Sequence, residues 1–395
     1  MTGQVKIVLK SGKDQSLRRR HPWVFSGAIK KIYGNPTEGE VVDVYDNKDE
    51  KLGSGHYADG SIAIRMLTFG EENVGDDFLA GKIKRAWNHR REEDLYLPGK
   101  RDVFRLVNAE GDGLPGLIID YYNGAAVIQV HSTGMFKNLD KIASNVRSID
   151  GLPVDTIYNK SSNTLHEKPG IQPSDELLYG ERLHGEIHEH GYRFKVDWER
   201  GQKTGFFIDQ RENRKLVEHY SAGKSVLNMF CFSGGFSVYA AGGEAKTVHS
   251  VDSSNHAIDL TMQNMEMNYP GKANHKAFAA DAFEYLEGID QKYDLIILDP
   301  PAFAKHQRVL NNALQGYKRL NHKVISQIRP GGLLFTFSCS QAVSKENFRK
   351  SVFAAAANAG RDAKILHQVT QPADHPVSIY HPEGEYLKGL VLKID

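Results

Sequence analysis

In the first seventy residues the apolar positions come in short runs, alternating or β-branched: VKIVLK, EVVDVYD and SIAIRMLTF. Turn formers punctuate them at Ser11-Gly12, Gly34-Asn35-Pro36 and Asp59-Gly60. Runs of this kind, cut by Gly, Asn and Pro, predict short strands and tight turns, here a small β-barrel. The period then lengthens. Leu79, Ile83, Ala86 and Trp87 recur at helical spacing within a charged stretch from about Asp76 to Leu95. FRLVNAEGDGLPGLIIDYY and AAVIQVHS read as strand–turn–strand, a second helix covers about Met135 to Ile149, and LHGEIHEHGYRFKVD is a pair of strands.

From about Val196 apolar runs alternate with helical segments. SVLNMF is followed by a helix from about Gly235, TVHSVD by one from about Asn255, KAFAAD by a short helix, and DLIILDP by a helix across Gln315 to Ile328, before LLFTFS. Strands separated by helices imply an α/β fold with a doubly wound, Rossmann-like parallel sheet. The chain therefore divides into a small β-barrel over 1–73, an α+β domain ending in a linking hairpin over 74–195, and the doubly wound domain over 196–395. No internal repeat or low-complexity linker interrupts it.

In such sheets ligands bind beyond the carboxyl ends of the strands, at the switch point. The first strand is followed by Phe230, Cys231, Phe232, Ser233, Gly234 and Gly235. Small residues there let a backbone approach a ligand, and the next helix offers its N-terminus; the same residues also suit a plain strand-to-helix turn. Asp252, with Ser253, ends the second strand, where a carboxylate accepts from both ribose hydroxyls of a nucleoside or caps the following helix. Asp281, Ala282 and Phe283 end the third. That acid suits an adenine amino group with Phe283 against the ring, or again an N-cap. The fourth ends in Asp299-Pro300-Pro301-Ala302-Phe303, whose prolines stiffen an extended pocket rim. The fifth ends in Ser338-Cys339-Ser340, facing the same rim, a setting for a nucleophile more than for a buried small hydrophobe. Cys231 reads as packing on the first loop.

With 395 residues, 40% hydrophobic and 25% charged, the chain has length for two or three domains with real cores. Its 50 basic and 49 acidic side chains leave a net charge of +1, so any nucleic-acid binding must come from a local patch. Arg18-Arg19-Arg20-His21, followed by Pro22-Trp23, is the candidate patch, since cations beside an aromatic suit phosphate contact with base stacking. KIKRAWNHRR, with Lys82, Lys84, Arg85, Trp87, Arg90 and Arg91, is either a second such patch or a solvated face paired with Glu92, Glu93 and Asp94. His184, His188 and His190, with Glu186, read as a solvated strand face rather than a metal site. Two cysteines build neither a disulfide framework nor a CxxC zinc site. The opening residues lack a signal-peptide core and the apolar runs are too short to span a bilayer, so a reducing cytoplasm is the expected location.

The succession NMFCFSGGFS, HSVDSS, DAFEYL, LDPPAFAK and SCS resembles motifs I, II, III, IV and VI of class I S-adenosylmethionine methyltransferases. KTGFFIDQRENR, residues 203–214, is similar to a segment flanking substrate and cofactor in one subfamily, the PUA-domain cytosine-5 methyltransferases of large-subunit ribosomal RNA. RRRHPWVFSGAI (18–29) is similar to the opening of their PUA domain, NAEGDGLPGLIID (108–120) to their central domain and HPEGEYLKGL (381–390) to their C-terminal hairpin. The resemblance thus spans nearly the whole chain. It implies S-adenosyl-L-methionine as cofactor, held by Phe230, Cys231, Ser233, Gly234, Gly235, Asp252, Ser253, Asp281, Ala282, Phe283 and Asp299, with Gln210 and Arg211. It implies large-subunit RNA as partner, with Pro300, Pro301, Phe303 and Lys305 at the base and Arg18, Arg19, Arg20 and Trp23 on the strand, and frequent homodimers.

Under that resemblance Cys339 is the nucleophile and Asp299 grips the N3–N4 edge of cytosine. C5 of cytosine is a poor nucleophile; thiolate addition at C6 makes it enamine-like. A related branch carries a further cysteine in motif IV, where this sequence reads DPPAF. No base for the C5 proton is evident. Two other readings stay open. One is an amino-group methyltransferase stacking a flipped base on the aromatic of the Asp-Pro-Pro turn, which leaves Cys339 without a task. The other is an RNA-binding assembly factor with an inactive domain. The GxGxxG of a nicotinamide dehydrogenase is missing after SVLNMF.

Overall fold

A computed structural model describes residues 5–181, 185–199, 201, 203–271, 274–304 and 307–395. The chain forms two compact units. One comprises Met1–Gly185, Trp198–Gly205 and Ala373–Gly384; the other comprises Glu186–Asp197, Phe206–Pro372 and Glu385–Asp395.

The first unit holds two sheets. The six-stranded one runs in the order Trp23–Phe25, Ile62–Met66, Lys51–Tyr57, Val41–Tyr45, Lys6–Leu9, Ile29–Tyr33. Ile7, Val42, Val44 and Ile64 fill its core. The five-stranded one runs Asp175–Gly180, Thr156–Lys160, Ala125–Val130, Leu117–Tyr122, Val103–Asn108. Helices Phe78–Glu92 and Leu139–Arg147 bury Ile83, Trp87, Ile142 and Val146 in its core.

The second unit carries the doubly wound sheet. Its strands are β1 (Ser225–Met229), β2 (Thr247–Asp252), β3 (His275–Ala279), β4 (Leu295–Leu298), β5 (Gly332–Ser338), β6 (Ala363–Thr370) and β7 (Lys388–Ile394). They lie in the order β3-β2-β1-β4-β5-β7-β6, with β7 antiparallel to both neighbours. The helices are α1 (Arg211–Tyr220), α2 (Gly235–Gly242), α3 (Asn255–Asn268), α4 (Ala282–Tyr285), α5 (Leu310–Gln327) and α6 (Lys345–Ala359). All residues of β4 and β5 are buried, as expected for parallel strands covered on both faces. The chain builds outward from β1 to β3 and returns to β4 on the other side of β1. Loops leaving the strands therefore diverge at the carboxyl edge between β1 and β4 and open a crevice there. Among the described residues, no helix is long and apolar enough to cross a membrane.

Candidate active site

β1 delivers the chain to that edge at Phe230. Phe230 (φ 59°), Phe232 (φ 48°) and Gly234 (φ 75°) are all left-handed. Bulky residues so placed cost on the order of 1–3 kcal/mol each and persist only where their surroundings fix them. Here the Cys231 amide donates to the Val251 carbonyl (3.0 Å) and the Phe232 amide to Asp252 Oδ2 (3.0 Å). From α3, Thr261 Oγ1 donates to the Phe232 carbonyl (2.9 Å) and Asn264 Nδ2 to the Ser233 carbonyl (2.8 Å). Gly234 is needed for its φ and because a β-carbon would lie 2.7 Å from Thr261 Cγ2. It begins α2 without any side-chain cap, which offers first-turn amides to a ligand.

Asp252 accepts twice, from Phe232 at Oδ2 and from the Ser254 amide at Oδ1 (3.0 Å). The carboxylate is thus locked in place at the rim, and each oxygen keeps a second lone pair for a hydroxyl. Ser253 beside it is exposed. Asp281 caps α4, with Oδ1 accepting from the Phe283 (2.8 Å) and Glu284 (3.1 Å) amides. Ala282 is buried and Phe283 half-buried against the core.

The segment before β1 packs beneath this loop. The Phe207 ring meets Phe232 edge-on at 5.0 Å, and Arg214 Cδ lies 3.0 Å from where a β-carbon on Gly235 would sit. Arg214 is clamped by Glu189 through two bonds of 2.7 Å, both side chains being buried. Gln210 and Arg211 are buried at the start of α1, Gln210 accepting from Asn213 Nδ2 at 2.6 Å.

β4 and β5 are parallel neighbours with Leu298 opposite Thr336, so the Asp-Pro-Pro turn and the Ser-Cys-Ser turn emerge side by side. Asp299 is half-buried, Pro300 buried and Pro301 exposed. Cys339 is partly exposed, with Sγ 3.9 Å from the Pro300 carbonyl. Its flanking serines are fully buried braces. The Tyr317 hydroxyl on α5 bonds Ser338 Oγ (2.9 Å) and Ser340 Oγ (2.9 Å), and the Ala304 amide donates to Ser340 Oγ (3.2 Å). Phe303 packs on Tyr317 with ring centroids 4.6 Å apart. Cys231, in contrast, is buried 3.6 Å from Thr261 Oγ1, and burial pushes its thiol up to about 12. That thiol stays protonated at neutral pH.

A sequence profile of S-adenosylmethionine-dependent methyltransferases matches residues 110–382. The chain belongs to that family. A profile of PUA-like domains matches residues 7–69 of this methyltransferase. Ribosomal RNA large subunit methyltransferase I of Aeromonas hydrophila is 40% identical over 98% of each chain, and its counterpart in Shewanella amazonensis is 40% identical over 99% of each. A solved Streptococcus mutans structure, assigned as a SAM-dependent methyltransferase, superposes with TM-score 0.83 at 22% identity, covering 98% of this chain and 99% of its own. A methyltransferase solved with S-adenosylhomocysteine gives 0.84 at 23% over the same shares. These two likenesses show the shared fold.

The RNA-facing candidates lie in the methyltransferase's other unit. Arg18 is already engaged, its guanidinium meeting Asp14 (2.7 Å), Asp46 (2.8 Å) and Glu50 (2.7 Å). Arg19 and Arg20 are exposed and form no ion pair among the described residues. Trp23 is half-buried, its Nε1 donating to Glu110 (2.8 Å) and its ring 4.4 Å from that of His381. Trp87 is corrected from a stacking aromatic to a core residue, 2% exposed and bonded through Nε1 to the Asp150 carbonyl (3.0 Å). Arg90 is likewise buried, in a bidentate pair with Asp112 at 2.6 and 2.8 Å. Apolar periodicity outranked the neighbouring charges on that helix. Lys305 and His184 lie outside the described residues. His190 bonds the Tyr239 hydroxyl at 3.0 Å. Thr261 and Asn264, which brace the Phe232–Ser233 loop, and Tyr317, which braces the Ser-Cys-Ser turn, were not singled out in the sequence; only the i,i+3 spacing of Thr261 and Asn264 on one helix face signalled a shared task.

Proposed function

We propose that this methyltransferase transfers a methyl group to C5 of a cytosine in large-subunit ribosomal RNA, through a covalent adduct on Cys339. The observation that carries the proposal is the thiol's position, partly exposed at the end of β5 and 3.9 Å from the Pro300 carbonyl of the Asp-Pro-Pro rim. The names of the 40%-identical relatives support the RNA class. The carboxylate of Asp252, fixed by two backbone amides and still able to accept, fits a ribose diol. When bound, S-adenosyl-L-methionine supplies the electrophilic methyl group.

The Cys339 thiolate forms an S–C6 bond, and Asp299 holds the N3–N4 edge while N3 takes a proton. The electron pair displaced from the C5–C6 double bond makes C5 the attacking carbon. C5 takes the methyl group as the sulfonium leaves as a thioether; loss of the C5 proton to a base then re-forms the C5–C6 double bond and expels the thiolate, and N3 gives back its proton. Phe303 weighs against the amino-group alternative, because its ring is committed to Tyr317 instead of standing clear for a base.

Cys339→Ala should abolish 5-methylcytosine formation in large-subunit RNA, read by mass spectrometry, while cofactor binding persists. Cys231→Ala should keep most activity. With 5-fluorocytosine in the RNA, a covalent complex dependent on Cys339 and cofactor should appear on a denaturing gel. Turnover by Cys339→Ala, or an adduct on Cys231, overturns the proposal.

A further inference from the structure

Lys388 opens β7 and is paired across the sheet with Ser338. Its side chain is buried, and no carboxylate pairs with it among the described residues. A buried ammonium is costly unless its protons and its charge are both matched. Two of its three N–H groups are matched, donating to the carbonyls of Ser340 (2.7 Å) and Val343 (2.6 Å). Those carbonyls belong to the turn that follows Cys339. Among the described residues no acid is bonded to the ammonium. An ionised Cys339 would favour the Lys388 ammonium, while Lys345 on α6, paired with Glu385, opposes it. The Tyr317 hydroxyl reaches the same turn from α5 but is occupied by Ser338 and Ser340. Asp299 stands at the neighbouring strand end.

We propose that Lys388 is a positioning residue for Cys339: its ammonium is the counter-charge that holds the thiolate ready for C6 and receives it again when the S–C6 bond breaks. The thiol proton leaves to solvent, and Lys388 keeps its own three. Burial lowers the ammonium to about 8, the mark of a cation short of a counter-charge, and ionisation of Cys339 supplies one. An ordinary thiol, with a value of about 8.5, is only a few per cent thiolate at neutral pH, so the effect bears directly on rate. The proposal rests on Cys339 being the nucleophile.

The test is the pH dependence of Cys339 alkylation by iodoacetamide on the full chain, with the labelled peptide assigned by mass spectrometry. In the wild type the midpoint should fall below the ordinary thiol value of about 8.5. Lys388→Met should raise it by about one unit, slowing labelling near pH 7 roughly tenfold while rates converge near pH 10. Lys388→Arg should hold the midpoint near that of the wild type. Melting temperature and cofactor binding report whether each variant folds, and the wild-type midpoint stands as a test if none does. A wild-type midpoint at or above about 8.5, or no shift in a folded Lys388→Met, overturns the proposal and leaves Lys388 a brace for the turn. The readout is independent of turnover, so a failure of the cytosine-5 assignment shows separately in Cys339→Ala.

Discussion

Both carboxylate oxygens of Asp252 accept backbone amides, and one of those amides belongs to a left-handed phenylalanine. The side chain therefore sets the loop's shape as well as facing the crevice. Asp252→Ala should weaken S-adenosylmethionine binding by several-fold to a hundredfold, since a hydrogen bond to a charged group is worth about 1.5–3 kcal/mol. Asp252→Asn, which keeps one acceptor oxygen, should fall between. Calorimetric titration decides, and wild-type affinity in Asp252→Ala removes the residue from the cofactor site. Sequence left Asp252 and Asp281 alike, each a ligand or a cap. Geometry separates them: Asp281 spends one oxygen on α4, whereas Asp252 spans two segments. The two cysteines were told apart in the sequence by the strand ends they follow, and they differ in burial too: the loop around Cys231 closes over it because Thr261 and Asn264 arrive from a helix some thirty residues on, while Cys339 stays partly exposed.

All five parallel strands were placed within two residues; β1, β4 and β5 were legible because burial on both faces favours continuous apolar runs, whereas β2 and β3, less buried, were legible from the strand-and-helix alternation around them. The edge strand β6, AKILHQVT, is mostly exposed and shows no such run, and Asp175–Gly180, DELLYG, is exposed for the same reason. Helix α6 buries Phe348, Ser351, Val352 and Ala355 in a stretch otherwise mostly of charges and alanines, a weak periodic signal. The hairpin Glu186–Glu189 and Tyr192–Lys195 was expected as strands, but the weight it carries was not. It delivers Glu189, fully buried, to Arg214 on α1, which also donates to the Phe207 carbonyl at 2.9 Å. Breaking a buried pair leaves one charge without its partner and costs about 3–5 kcal/mol. Glu189→Gln should therefore lower unfolding free energy by about that much in urea titration, and adding Arg214→Met should recover part of it. A loss no larger than that of a surface substitution would mean water reaches the pair.

At the scale of the whole chain, 50 basic and 49 acidic residues forbid RNA capture by bulk charge, so any such capture falls to a few unengaged cations. Sequence grouped Arg18, Arg19 and Arg20 as one patch, but the acids that divide them lie far along the chain. Asp46 and Glu50 come from a turn some thirty residues later, and with Asp14 they hold Arg18, while Arg19 and Arg20 stay exposed. If this unit meets RNA through that run, the three arginines should behave differently. Replacing Arg19 and Arg20 with alanine should flatten the dependence of log affinity on log salt by roughly 0.9 for each phosphate no longer neutralised on duplex RNA, and by less on single strands. Melting temperature should stay unchanged in that variant. Arg18→Ala should do the reverse, lowering the melting temperature as three carboxylates lose their shared cation and leaving the salt slope near wild type. Fluorescence anisotropy across a salt series measures the slopes. A flattened slope in Arg18→Ala, or an unaltered one in the Arg19 and Arg20 double variant, would move the RNA-binding surface away from this run, with the exposed Lys84, Arg85 and Arg91 of the Phe78–Glu92 helix as the next cations to replace.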